Sequence, residues 1–318
     1  MKISVYQYRL WFKGEYATVS QRPFREGALL RMLFKDGCIG YSDCHPWVEL
    51  GDLPLQDQLA ALSKGRTTPL LACSEKFARV DAEARAKKQS VFDGLEIPKS
   101  HLLLSLDDSI GKMVSDGFDT FKVKCGSNSD RELETLRHWN SIVPTGLFRL
   151  DFNEKLCRNG FVEFWRKMPG KLQKQIDFIE DPYPYDPTAW TADQEYLQVS
   201  FASDRQSQKA VQYPNSCHAI VLKPAVERMP NLLPVSNRFV VTTYLDHPVG
   251  QMCAAYASAI LKKQYPHLVG TCGLMSHLCY ERNEFIDAMR SKDTALLPTE
   301  GNGFGFDSLL EALPWQNL

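Results

Sequence analysis

The sequence predicts an α/β fold, a parallel (β/α) barrel preceded by a smaller β-then-α region. Three observations predict it. After Pro98, short apolar runs alternate with helical stretches, the pattern of repeated βα units. Several of these runs are continuously apolar or β-branched, as in parallel strands covered on both faces. The 318 residues suffice for such a barrel, which takes roughly 250, and leave a first segment with a different pattern.

Residues 2–12 (KISVYQYRLWF) alternate polar and apolar, as a half-buried strand does. Residues 13–24 are polar, contain Gly14 and Pro23, and read as a loop. Residues 27–43 read as a hairpin turning at Lys35-Asp36-Gly37. Residues 53–90 have helical spacing broken near Thr67-Thr68-Pro69, which gives two helices. The barrel strands are then expected at 101–106, 118–124, 147–152, 176–181, 199–204, 219–224, 239–246 and 267–274. The segment from Leu296 onward reads as a tail that packs elsewhere.

Composition is that of an ordinary globular chain: 44% hydrophobic, 24% charged, net charge −1. Scattered Lys and Arg argue against a nucleic-acid partner. No apolar run approaches the roughly 20 residues that span a bilayer, and the N-terminus is broken by charge too early for a signal peptide. Nine cysteines with no CxxC pair fit reduced thiols in the cytoplasm rather than a disulfide framework. No GxGxxG or GxxxxGK[ST] fingerprint appears, which argues against a nucleotide cofactor.

Candidate chemistry lies at strand ends. The second to sixth barrel strands end in Lys122-Val123-Lys124, Asp151-Phe152-Asn153, Glu180-Asp181-Pro182, Asp204-Arg205 and Lys223-Pro224. Period-2 geometry places both lysines of the first pair on one face. A lone charge in a strand interior costs several kcal/mol to bury, about 3–5 kcal/mol when a partner is missing. At the C-terminal mouth of a barrel the same charges make sense as a site. Asp151, Glu180 and Asp204 offer hard oxygen ligands from adjacent strands, the kind Mg²⁺ (or Mn²⁺) prefers. Without a cation they would repel one another. A metal holding a substrate carboxylate acidifies the neighbouring C–H, and Lys122 beside Lys124 lowers the pKa of the base that removes it.

Each residue alone has a plainer reading. Charge runs usually mark solvated faces, Asp151 or Asp204 could cap a helix, and Lys223 could sit in a loop. Their order and one-unit spacing on five consecutive strand ends favour a site. His247 in Asp246-His247-Pro248 reads as a structural hydrogen bonder, and His45-Pro46-Trp47 as a domain contact or site rim. Cys125 reads as buried and inert.

In this order, KVK, DFN, EDP, SD and LKP resemble the motifs of the enolase superfamily, muconate-lactonizing subgroup. YSDCHPW at 41–47, TTYLDHPVGQ at 242–251 and GTCGL at 270–274 are further similar to the o-succinylbenzoate synthase family of menaquinone biosynthesis. The resemblance implies a modified TIM barrel, (β/α)7β, over 98–290, an N-terminal α+β capping domain over 1–97, and a segment 291–318 packing back toward it. It implies Mg²⁺ on Asp151, Glu180 and Asp204, with Asn153 supporting them. It implies Lys124 as base and then acid, Lys122 as its tuner, and Lys223 stabilising the enediolate from the other side. A lysine base with Mg²⁺ is general to enolase-type sites. Thr242, Thr243, Gly270 and Gly273 would line the substrate end, and the loop at 13–24 would close over the mouth. The implied reaction is dehydration of a small-molecule carboxylate; racemases, epimerases and cycloisomerases of the superfamily, or a non-catalytic barrel, are the alternatives. Arg205 departs from relatives that place an acidic residue after the third ligand. The sequence does not fix the oligomeric state.

Overall fold

The computed structural model describes residues 1–14, 16, 22–227 and 236–318. Strands β1 (Lys2–Trp11) and β2 (Phe24–Leu33) pair antiparallel from Lys2↔Leu33 to Trp11↔Phe24, and β3 (Ile39–Cys44) continues the sheet. The Lys35-Asp36-Gly37 turn forms: Gly37 takes a φ of 84°, and Asp36 Oδ1 accepts the Cys38 N–H. Helices α1 (Leu55–Ser63) and α2 (Pro69–Ala86) follow. Their break is set by Thr68, whose hydroxyl caps the Leu71 N–H, with Pro69 in the first turn. Helix α2 lies against β3, and a Cβ at Gly40 would come within 1.8 Å of the Ala78 carbonyl oxygen. Only glycine permits that approach.

The second sheet is parallel, with seven strands in chain order: β4 (Leu102–Leu104), β5 (Thr120–Lys124), β6 (Leu147–Asp151), β7 (Ile176–Glu180), β8 (Phe201–Ser203), β9 (Ala219–Leu222) and β10 (Arg238–Val241). Helices stand between them, including α3 (Ile110–Ser115), α4 (Ser129–Ile142), α5 (Arg158–Lys167), α6 (Gly170–Gln173), α7 (Pro187–Leu197) and α8 (Ser207–Ala210). After β10 comes α9 (Pro248–Gln264). The expected strand at 267–274 is not a regular strand. It closes the barrel through single bridges, Val269 and Gly273 to Phe239 and Thr242 on one side, Cys272 to Ser100 on the other. The expected strand at 239–246 ends at Val241, and its remainder is loop.

Side chains alternate as the pleat requires. Phe121, Val123, Phe148, Leu150, Ile179, Phe201, Ile220, Leu222 and Phe239 enter the main core with the surrounding helices. Phe178, Ala202, Ala219, Val221 and Val240 fill a separate cluster inside the barrel. Lys122, Lys124, Arg149, Asp151, Glu180, Asp204 and Lys223 fall in phase with that inner set. The chain ends with α10 (Glu284–Ala288), the hairpin β11 (Ser291–Lys292) and β12 (Ala295–Leu296), α11 (Asp307–Ala312) and β13 (Gln316–Asn317). Strand β13 pairs with β1 through Ser4↔Asn317 and Val5↔Gln316. Residues 15 and 17–21 of the 13–24 stretch lie outside the described residues, and so does its role as a lid.

Candidate active site

The charged residues converge where β5 to β9 end. Lys122 is buried and bridges two strands, donating to both Glu180 oxygens at 2.7 Å and lying 2.8 Å from Asp151 Oδ2. Lys124 is 2.6 Å from the same Asp151 oxygen, but its side chain is 37% exposed against 11% for Lys122. Of the two lysines, Lys124 therefore faces solvent at the mouth. On the far side, Lys223 donates to both oxygens of Asp204.

Neighbouring strands align these groups by register: Lys124↔Asp151 and Asp151↔Glu180 are Cα partners. Just beyond the strands the backbone turns left-handed at Asn153 (φ 49°), Glu154 (φ 59°) and Asp181 (φ 43°). Such conformations cost of order 1–3 kcal/mol each and persist where the surroundings impose them. At Asn153 the turn aims the N–H at Asp151 Oδ1, 3.1 Å away. At Asp181 it turns the carboxylate onto the N–H groups of Asp204 (3.1 Å) and Arg205 (3.0 Å), which ties the end of β8 to β7.

Charge balance shows what the cluster can hold. Burial pushes the Asp151 carboxyl up, but Lys122 and Lys124 outweigh it and hold it below the usual range. Burial likewise raises Asp204, and Lys223, then Lys122, more than reverse it. Glu180 goes the other way: burial and then the Asp151 charge raise it more than Lys122 lowers it. Asp181 is raised by burial, Asp204 and Glu180. Burial disfavours the charged forms of Lys122 and Lys223, yet their carboxylate partners keep both protonated beyond the ordinary lysine range. The lysines thus hold Asp151 and Asp204 ionised and leave Glu180 and Asp181 under-compensated. Among the described residues, Glu180, Asp181 and Asp204 each offer an oxygen within 4.8 Å of the others. An oxygen-only, buried, under-compensated set suits a hard divalent cation.

The other expected residues separate. Thr242 is buried at the end of β10, and its Oγ1 has no partner among the described residues. Thr243 donates to Ser276 Oγ at 2.8 Å. Gly273 packs under His101 and Thr242, where a Cβ would lie 2.7 Å from His101 Nε2. Gly270 sits apart, against Arg238 near the strand starts, so it does not join the carboxylates. His247 caps α9 through Val249 N–H, and Cys125 is buried with its thiol pushed up by burial.

Two features escaped the sequence reading. Asp181 was legible only as part of a turn. Beneath the cluster, Arg149 is fully buried, bonding Asp177 (2.8 Å), His101 Nδ1 (2.8 Å) and the Thr271 carbonyl (2.9 Å), while Arg238 takes the other Asp177 oxygen. The register between β6 and β7 skips Asp177, a bulge that turns its carboxylate toward both arginines. Arg149 stands two residues before Asp151 on the same face, and that was the available signal.

Residues 3–84 match the family model described as the N-terminal domain of O-succinylbenzoate synthase. The chain is 34% identical over 332 residues to an o-succinylbenzoate synthase of Bdellovibrio bacteriovorus, covering 100% of this chain and 99% of that protein. In fold it is similar to an N-succinyl Arg/Lys racemase of Bacillus cereus (TM-score 0.77, 14% identity, 100% and 99% covered). It is likewise similar to a mandelate racemase/muconate lactonizing enzyme of Roseiflexus sp. (0.77, 14%, 93% and 94%). A third is a dipeptide epimerase of Enterococcus faecalis complexed with Mg and a dipeptide (0.75, 14%, 96% and 98%). These likenesses show the fold, a (β/α) barrel with an N-terminal antiparallel sheet. On full-length identity and the matched N-terminal domain, the chain belongs to the o-succinylbenzoate synthase family.

Proposed function

We propose that this chain is a hydro-lyase that dehydrates 2-succinyl-6-hydroxy-2,4-cyclohexadiene-1-carboxylate to o-succinylbenzoate, with Mg²⁺ on Asp151, Glu180 and Asp204. The observation that carries the reading is the placement of two lysines on opposite flanks of one buried carboxylate row, Lys124 through Asp151 and Lys223 through Asp204. In the sheet, β6, β7 and β8 separate their strands. A flat ring lying between them has one amine on each face.

Bound to the three carboxylates, the cation would take up the negative charge that the substrate carboxylate gains as its α-proton leaves. Asp151 enters this ligand set through the resemblance of DFN, EDP and SD, whereas the oxygens within 4.8 Å of one another are those of Glu180, Asp181 and Asp204; Asp181 is given the role of tethering the Asp204 and Arg205 N–H groups. Lys124, the exposed member of its pair, removes the proton from C1 in its neutral form. The same amine, now an ammonium, then protonates the hydroxyl at C6 as the C–O bond breaks. Water leaves, the ring becomes aromatic, and both steps occur on one face. Lys122 stays protonated beside Lys124, held so by Asp151 and Glu180. Lys223, held charged by Asp204, stabilises the anionic ring from the other face. Asn153 steadies Asp151 through its N–H. The Thr242 hydroxyl, without a partner among the described residues, supports with Thr243 and Gly273 a substrate end beside β10.

The test is turnover of that cyclohexadiene carboxylate with MgCl₂, followed as the ultraviolet absorbance of the aromatic ring. Aromatisation that stops when the metal is chelated supports the reading. No aromatisation, with solvent deuterium entering the α-carbon of an N-acylamino acid or dipeptide instead, would move the chain to the racemase and epimerase branch.

A further inference from the structure

Two segments that the sequence singled out, residues 41–47 and 242–251, meet at one buried joint away from the carboxylate row. Asp43 on β3 accepts the Tyr8 hydroxyl at 2.7 Å and the His247 N–H at 3.0 Å. Asp43 is half-buried, whereas Asp246, in the loop after β10, is fully buried, and its Oδ1 has no partner among the described residues. The two carboxylates crowd one point at the start of α9. A Cβ on Gly250 would lie 2.6 Å from Asp43 Oδ2 and 2.9 Å from Asp246 Oδ2.

No basic side chain is bonded to either acid among the described residues. Arg25 on β2 is a cation whose charge bears on Asp246, and it is bonded elsewhere. It bonds the Pro46 carbonyl (2.7 Å) and His45 Nε2 (3.2 Å), and its guanidinium lies over the Trp47 ring. His45 is neutral, its charged form disfavoured by burial and then by Arg25, and it meets the Tyr8 hydroxyl through Nδ1 at 2.8 Å. His247 is likewise kept neutral by burial. The remaining titratable neighbours, Cys44, Cys253 and Tyr280, are all pushed up by burial and so stay uncharged. Two carboxylates in such surroundings cannot both be ionised without several kcal/mol of penalty, roughly 3–5 kcal/mol for one uncompensated buried charge.

We infer that Asp43 and Asp246 hold one proton between them, and that this shared proton joins the N-terminal sheet to the loop after β10 and so positions Thr242, Thr243 and Tyr244 at the barrel mouth. The loop is short enough to transmit the constraint, because Tyr244 stands two residues before Asp246. Tyr244 also bonds Asp52 at 3.0 Å, so both ends of the connection reach the N-terminal region. Burial raises both acids, Asp246 to about 7, and the proton belongs to the pair rather than to either residue.

The pair predicts an asymmetry. Both Asp43 oxygens already accept hydrogen bonds, so in Asp43→Asn the amide NH₂ must face a donor. Asp246→Asn instead supplies a permanent donor to Asp43. The sign with pH follows. The unfolded Asp246 loses its proton near the ordinary carboxyl value, and the folded one keeps it to about 7. Wild-type stability from this group therefore falls as pH rises through that window, and Asp246→Asn is free of the loss.

The experiment uses the full chain saturated with MgCl₂, so that the carboxylate row contributes equally to all proteins. Thermal midpoints of wild type, Asp246→Asn and Asp43→Asn are compared at about pH 5, 6 and 7. Asp246→Asn should gain on wild type by roughly 2 °C per pH unit. Asp43→Asn should be the less stable variant throughout, with KM raised more than kcat is lowered. Infrared difference spectra at neutral pH, wild type minus Asp246→Asn and wild type minus Asp43→Asn, should each show the loss of one protonated-carboxyl C=O stretch at the same frequency. Parallel midpoint curves, or no such loss in the difference spectrum of a folded variant, would each overturn the inference. A difference spectrum between pH 5 and pH 8 on wild type and on Glu227→Gln tells the pair's band from those of other buried carboxyls. Only the KM readout rests on the dehydration reading; the midpoints and the infrared band stand without it.

Discussion

Replacing Lys124 with Ala should separate chemistry from stability more cleanly than any other change in the site. On the stability side, the variant removes one of two ion pairs to Asp151 Oδ2. The carboxylate keeps Lys122 at 2.8 Å and the Asn153 N–H at 3.1 Å, so it is not left bare. The lysine side chain is 37% exposed, and solvent screening limits such a pair to about 0–1 kcal/mol. That corresponds to a midpoint change of no more than about 2–4 °C. On the chemical side, Lys124 serves as base and then as acid, and one general acid–base residue contributes roughly 10²–10⁴-fold. Loss of both roles should lower kcat by about 10³-fold or more. The assay is aromatisation by ultraviolet absorbance under saturating substrate and MgCl₂, beside a melting curve of the same preparation. A folded variant that keeps a tenth of wild-type kcat would refute the role given to Lys124.

The remaining predictions separate the other parts of the site. Lys122→Ala strands Glu180 in the interior while Asp151 keeps Lys124, so stability without added metal should fall by about 3–5 kcal/mol, and MgCl₂ should restore much of it in thermal melts. Asp181→Ala frees the Asp204 and Arg205 amides without removing a proposed ligand, so Mg²⁺ affinity by calorimetry should drop about 10–100-fold while Mg²⁺ still binds; complete loss of binding would make Asp181 a ligand itself. Gly273→Ala pushes a methyl into His101 and Thr242, and chemical denaturation should register a loss of about 1–3 kcal/mol; an unchanged midpoint would mean that the closing segment has room to yield.

How much was legible in the sequence depended on whether a signal was local. The Lys35-Asp36-Gly37 turn and the helix break near Thr67-Thr68-Pro69 are written in adjacent residues, and both formed where they were read. The strand ends were legible because a charge closing an apolar run breaks an otherwise strict pattern. Long-range facts were not. The closing segment 267–274 was read as a full strand from its apolar character. Its actual backbone hydrogen bonds go to Phe239, Val241 and Thr243 on one side and to Lys99 and His101 on the other, in single bridges too sparse for a regular strand. Gly270 and Gly273 were grouped at the substrate end through the resemblance of GTCGL. A strand-like rise of about 3.3 Å per residue over three residues separates them by about 10 Å along the barrel axis, enough to put one against Arg238 and the other under His101. Arg149 is the sharper case. In LFRLDF it interrupts an apolar run as plainly as Asp151 does, yet its meaning requires Asp177, which the bulge in β7 turns inward. No spacing rule gives a bulge. The same limit applies to Asp43 and Asp246, two ordinary acids until the N-terminal sheet docks on the loop after β10. Local chemistry thus located the row of charges on β5 to β9, and the packing of distant segments determines how that row is supported from below and held from the side.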